Sequence, residues 1–305
     1  MLESVRNALT VDVEDYFHVS AMAKAIDRGM WNEMPPRVDR NTRRLLDIFE
    51  ERGVRGTFFV LGVVAERFPA LVQEIHRRGH EVASHGFAHE LVYRQAPAQF
   101  RAETKQSKAM LEELTGAPVV GYRAASYSVI EETLWALDVL LEEGFRYDSS
   151  VYPIRHDLYG IPGSSPTPHR LRTPCGGEIV EFPAPTVVFL GQNLPVGGGG
   201  YFRLYPYALT RALLARVLRQ RGQPFTFYLH PWEIDPDQPK IKASPLSTFR
   251  HYHNLHRCEA RLERLLGDFR FDTMRNVLRG LGYLKDSNGP PAASPPNSSW
   301  SAAVV

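Results

Sequence analysis

Between residues 7 and 147 the chain alternates short β-branched or aromatic runs with longer amphipathic stretches, a rhythm that leaves few folds open. Residues 7–13, 56–61, 80–84, 119–122 and 145–147 read as strands, and 38–52, 65–78, 96–114 and 131–142 as helices. Leu45, Leu46, Ile48 and Phe49 give the first helix its apolar side, and Gly53 stops it. Strands that each return through a helix run parallel with right-handed crossovers, and functional side chains gather where such strands end. The expected class is therefore α/β. Residues 150–205 lose the rhythm among prolines and glycines, with strands expected only at 178–182 and 186–190. It resumes with a helix at 206–221, a strand at 225–229 and a helix at 255–266. Residues 1–285 are read as one domain, in which 150–205 form an elaborated connection and 206–285 the C-terminal part. The Ser- and Pro-rich stretch 286–305 is read as a disordered tail.

Composition narrows the partners. With 36 basic and 34 acidic residues the formal charge is +2, and no long run of either sign invites nucleic acid or an anionic membrane. A neutral partner is expected. No apolar run approaches membrane-spanning length, and the N-terminus enters a strand without a basic and apolar leader, so neither a transmembrane segment nor a signal peptide is expected. Cys175 and Cys258 lack C-x-x-C spacing and fit free thiols in a reducing compartment; the location is read as cytoplasmic.

The densest chemistry lies in G-H-E-V-A-S-H-G-F-A-H-E, residues 79–90. His85 and His89 are four residues apart, a spacing that returns side chains to one face of a helical turn, where both rings reach a single metal ion. Gly86 stands where the glutamate of H-E-x-x-H would be, which argues against zinc-protease chemistry. Two imidazoles are half a site and need another N or O donor. Asp12, Glu14 and Asp15 close the first strand, and alternation sends Asp12 and Glu14 to one side and Asp15 to the other; the alternative for any one of them is a helix cap. Arg123, Asp148 and His230 also follow strands. The glycine run 197–200, with Tyr201, Phe202 and Arg203, reads either as a substrate-facing loop or as a mobile or tightly turned surface loop. His251, His253 and His256 read either as a second metal cluster or as a solvated helix start.

In this order the residues resemble the polysaccharide deacetylases of carbohydrate esterase family four, over about 9–232. T-V-D-V-E-D-Y-F-H matches the family's first motif, with Asp12 as catalytic base and Glu14, or Asp15 as its alternative, as metal-binding acid. H-G-F-A-H matches the second, with His85 and His89 as ligands and Gly86 replacing a small hydroxyl residue. R-A-A-S-Y matches the third: Arg123 would orient Asp12, and the Tyr127 backbone N–H would hold the oxyanion, although Ala125 replaces a proline. Y-D-S-S places Asp148 along the groove, and Y-L-H-P-W supplies His230 as general acid and Trp232 as a wall of the acetyl pocket. The resemblance implies a distorted, seven-stranded, TIM-like (β/α) barrel with an elaborated C-terminal half. It implies one divalent metal, usually Zn2+, though Co2+, Ni2+ and Fe2+ accept the same ligands. The D-V-E-D-Y-F start, the L-H-P-W-E signature and the long region after the fourth motif are most similar to deacetylases linked to exosortase and exopolysaccharide gene clusters. The implied activity is removal of N-acetyl groups from N-acetylhexosamine units of an N-acetylated glycan, in exopolysaccharide biosynthesis. Two competing readings are a glycan-binding protein that keeps the fold without turnover, and a hydrolase of another small-molecule amide bond.

Overall fold

The computed structural model describes residues 5–156, 159–189 and 191–285. In chain order its elements are β1 (Arg6–Val13), α1 (Val38–Glu51), β2 (Thr57–Val60), α2 (Gly62–Arg67), α3 (Pro69–Arg77), β3 (Glu81–Ser84), α4 (Pro97–Thr115), β4 (Gly121–Tyr122), α5 (Trp135–Glu142) and β5 (Tyr147–Asp148). There follow β6 (His169–Arg172), β7 (Glu178–Glu181), β8 (Thr186–Phe189), β9 (Gln192–Pro195), α6 (Gly199–Leu204), α7 (Tyr207–Arg221), β10 (Thr226–Leu229), α8 (Pro245–Tyr252), α9 (Leu255–Asp268), β11 (Arg270–Asp272) and α10 (Met274–Gly280).

Seven strands pair in parallel in the order β10-β1-β2-β3-β4-β5-β7, as in the expected α/β barrel. β6 adds antiparallel to β7, and β11 adds parallel to the start of β1. Among the described residues no ladder joins β6 to β10, but a parallel bridge between Gly198 and Tyr228 lays the chain before α6 along β10. β8 and β9 form a separate hairpin.

Alternation along the strands builds two layers. Leu9, Val11, Val13, Phe58, Val60 and Val82 face outward and pack with Leu45, Phe49, Leu71, Ile75 and Phe100 of the helices, each large side chain contributing about 1.5–3 kcal/mol through burial. Ala8, Phe59, Ala83, Tyr147, Val180 and Phe182 face inward and form one cluster. Hydrogen bonds from Arg123, just past β4, to Thr10 and Asp12 of β1, with β2 and β3 between them in the sheet, require the sheet to curl. Met274, Val277 and Leu278 of α10 join the same cluster and close the curl at the N-terminal ends of the strands. Glu81 fastens this floor: its carboxylate accepts from Thr57 Oγ1 (2.6 Å), Tyr147 OH (2.9 Å), and both the backbone N (3.0 Å) and Nε (2.9 Å) of Arg275.

Several expectations are corrected. The helix expected at 65–78 is two, α2 and α3, because Pro69 cannot extend a helix but starts one well, and Phe68 turns away at φ −131°, ψ 59°. The stretch 131–142 opens with a 3-10 turn, Glu131–Thr133, ahead of α5. Within 150–205, β6 and β9 add to the two strands expected. The glycine run is not a surface loop: α6 begins inside it, and Gly198 sits at φ +139° with its Cα so close to β10 that a Cβ would lie 2.0 Å from Tyr228 O. β11, α8 and α10 were not expected. The tail reading at 286–305 falls outside the described residues. Cys175 and Cys258 are unpaired. Among the described residues no helix is long and apolar enough to cross a membrane.

Candidate active site

The inward face of β1 turns polar at its C-terminal end. Thr10 and Asp12 follow Ala8 on that face, and both meet Arg123, which leaves β4 fully buried. Arg123 Nη1 donates to Asp12 Oδ1 (2.6 Å) and Thr10 Oγ1 (2.9 Å), Nη2 to Ser149 Oγ (3.0 Å) and Nε to Ser149 O (3.3 Å). Its guanidinium lies 4.2 Å from the Phe59 ring centroid. A buried charge held this completely is costly to move and fixes the carboxylate opposite it.

Beyond β3, His85 Nδ1 is 2.8 Å from Arg123 O. A carbonyl only accepts, so Nδ1 carries the proton and Nε2 keeps a free lone pair, the arrangement a metal-ligating histidine adopts. Burial lowers this imidazole to about 4 against the pull of Asp12 and Glu14, which keeps the ring neutral. His89 arrives through a loop and not the helical turn considered from its spacing. Gly86 at φ +78° and His89 at φ +52° reverse the chain, and Arg28, paired with Glu90, donates to His89 O (3.0 Å). His89 Nε2 ends 2.8 Å from Glu14 Oε2. One donor atom each from Glu14, His85 and His89 lies within 4.8 Å of the others, and all three residues are buried. Apart from His89 Nε2, Glu14 Oε2 meets no hydrogen-bond donor. Burial opposes its charge, but His89, His230 and His85 together hold it far below the usual carboxylate range. A buried carboxylate oxygen facing two imidazole nitrogens is a donor set that fits a divalent ion of the zinc type.

Asp15, the alternative ligand, faces elsewhere. Its Oδ2 accepts from the backbone N of Arg37 (2.7 Å) and Val38 (2.9 Å), and Oδ1 from that of Tyr16 (3.0 Å). It fastens the start of α1. His230, at the end of β10, points Nε2 at Glu14 Oε1 (3.4 Å) and Asp12 Oδ2 (3.8 Å). Burial works against its charge, yet Glu14, Glu233 and Asp12 push it up to about 9.

Three further residues are placed differently from expectation. The Tyr127 N–H donates to Ala124 O (3.1 Å) within a turn where Ser126 and Tyr127 sit at φ +51° and +54°, so it is engaged and not open to an oxyanion. Asp148 does not line a groove. It is fully buried, accepts from Ser150 Oγ (2.5 Å) and sits beside Glu181, its register partner across β5 and β7. Burial raises both carboxyls, Glu181 well above its usual range. Ser150 Oγ in turn accepts from Ala124 N (2.7 Å), so Asp148 shapes the Arg123 loop from below. Trp232 is a buried plate and not an open wall: its ring is near parallel to His230 (19°) on one side and His251 (10°) on the other, and Nε1 donates to Glu14 Oε1 (3.4 Å).

The second histidine group is no metal cluster. His251 is buried and bonds Gln238 Oε1 (2.7 Å), while His253 faces Asn254. The sequence reading gave Glu233 no role and set Arg203 only in the glycine-rich loop; Glu233 lies directly behind His230, and Arg203 behind Glu233. H-P-W-E carried a signal for the first, since an acid three residues after a residue followed by proline reads as a capping pattern.

A family model for polysaccharide deacetylase matches residues 25–144. The chain carries a polysaccharide deacetylase domain. A second model, described as a domain of unknown function (DUF3473), matches residues 149–279. The chain is 32% identical over 125 residues to the peptidoglycan deacetylase-like protein FGM2 of Gibberella zeae, a match covering 40% of this chain and 36% of that protein. It is 29% identical over 98 residues to a peptidoglycan-N-acetylglucosamine deacetylase of Bacillus cereus, covering 32% and 36%. The chain thus spans little more than a third of the length of these curated relatives. A Mycobacterium smegmatis structure, provisionally named a polysaccharide deacetylase, superposes with a TM-score of 0.62 at 22% identity over 96% of both chains, a likeness of fold.

Proposed function

We propose that the chain is a metal-dependent N-deacetylase acting on N-acetylhexosamine units of a poly- or oligosaccharide, with residues 5–285 working as one catalytic unit. The observation that carries this reading is the convergence of a buried metal-competent triad, Glu14, His85 and His89, with two proton-transfer groups, Asp12 and His230, in one place. The names of the peptidoglycan deacetylase relatives support an acetylated glycan as the substrate. The D-V-E-D-Y-F and L-H-P-W-E stretches support a role in exopolysaccharide synthesis.

Glu14, His85 and His89 would hold the ion, zinc being the first candidate and cobalt, nickel or iron(II) compatible with the same donors. When bound, such an ion supplies Lewis-acid polarisation of the acetamide carbonyl and acidifies a water molecule. Asp12, aligned by Arg123, takes the water's proton, and His230 delivers a proton from Nε2 to the departing amine.

Acetate release from an N-acetylglucosamine oligomer by metal-loaded protein tests this. Asp12→Asn is expected to retain the ion and lose about 100-fold or more in kcat. Glycan binding without acetate release from the wild type would instead support the binding-protein reading.

A further inference from the structure

His230 opens a 3-10 turn, Pro231–Ile234, that brings Glu233 back beneath its own ring. Glu233 is 1% exposed, and its two oxygens serve different partners. Oε2 accepts from the His230 backbone N (3.0 Å) and lies 3.1 Å from His230 Nδ1, while Oε1 accepts from Arg203 Nε (2.7 Å). Arg203 belongs to α6 and is 2% exposed. Three of its four other N–H donors are fixed on carbonyls at the end of α8: Nη1 reaches His251 O (2.7 Å) and His253 O (3.0 Å), and Nη2 reaches Arg250 O (3.0 Å). The guanidinium cannot follow Glu233 elsewhere, so the carboxylate is held at a set place under the imidazole.

A carboxylate that already accepts a backbone amide leaves the facing ring nitrogen only the role of donor. Burial opposes ionisation of Glu233, but Arg203 and His230 bring it down to about 2, so it remains an acceptor at neutral pH. We propose that Glu233, clamped by Arg203, is the positioning residue of His230, fixing a proton on Nδ1 so that Nε2 is the nitrogen that gains and releases the transferred proton. Asp148, the carboxylate expected in the groove, is engaged with Ser150 and Glu181 and does not reach this ring. As the amide C–N bond breaks, its electron pair stays on nitrogen and takes the Nε2 proton of the imidazolium, which leaves a neutral ring with its proton on Nδ1. Only this use of Nε2 rests on the deacetylase reading; the tautomer does not.

The test is a two-bond 1H–15N spectrum of zinc-loaded protein labelled with 15N-histidine, with the His230 signals assigned by their loss in His230→Gln. Above the titration of the ring, wild-type His230 is expected to show a protonated Nδ1 and a bare Nε2, a result that needs no variant to fold. In Glu233→Gln the tautomer is expected to shift toward Nε2–H, with kcat falling on the order of 10- to 100-fold and KM unchanged. A wild-type ring protonated on Nε2, or a Glu233→Gln protein that keeps both tautomer and kcat, overturns the proposal. The expected tautomer in a wild type that releases no acetate would sustain the positioning and remove the deacetylase reading.

Discussion

Glu14 and Asp15 are adjacent acids with opposite work. Past the end of β1 the chain turns, the Glu14 N–H bonding Asp12 O, and it sets Glu14 toward the two histidines and Asp15 toward the backbone at the start of α1. Glu14→Ala is therefore expected to abolish tight binding of a divalent ion, whereas Asp15→Ala should cost about 1–3 kcal/mol of stability and leave ion affinity nearly unchanged. Ion titration and denaturant unfolding of both variants check the contrast. His230 sets a second expectation, because a general acid must be charged to act. Its elevation to about 9 derives in part from Glu14, and an ion bound to Glu14 offsets that negative charge, so the alkaline limb of kcat should lie below about 9. Above the limb kcat should fall about tenfold per pH unit; a profile flat to pH 10 counts against His230 as the acid. Asp12, Glu14, His85 and His230 were legible as candidates because each stands at the end of a readable strand. The roles of Tyr127 and Asp148 were not. One depends on a left-handed pair of residues that engages an amide locally, the other on burial beside Glu181, which pairs with it from a strand remote in sequence.

The regular elements divide by how they are buried. Strands such as β2 and β10, covered on both faces, read clearly as continuous apolar runs. β11 has three residues and β6 alternates partly exposed side chains, so neither stands out from a loop. The glycine run misled because glycine is equally the mark of a mobile loop and of a close backbone approach. Here it is the second, and α6 exists to deliver Arg203 to Glu233. Gly198→Ala is accordingly expected to lose more than about 1 kcal/mol of stability, since the new Cβ would meet Tyr228 O at 2.0 Å in a left-handed conformation. It should also lower kcat by drawing Arg203 away, a change read by kinetics under conditions where the variant stays folded. Wild-type stability in Gly198→Ala would show that the approach to β10 is loose.

In the molecule as a whole, the stretch matched to polysaccharide deacetylases and the stretch of unknown function build one sheet and one site. Asp12 and Glu14 precede the first match, His85, His89 and Arg123 lie inside it, and His230, Glu233 and Arg203 lie inside the second. β1, paired with β2, β10 and β11, joins them, and α10 closes the floor beneath all of it. The fold was legible because strand–helix alternation is a long, repeated signal, while closure by β11 and α10 rests on contacts across the full chain. The reading as a whole is tested by adding Zn2+ stepwise to metal-free protein and following acetate release from an N-acetylglucosamine oligomer. Activity is predicted to rise from near zero to a plateau at about one equivalent per chain, with no such rise in His85→Ala. Full acetate release after chelation, or from the His85→Ala protein, would contradict the account.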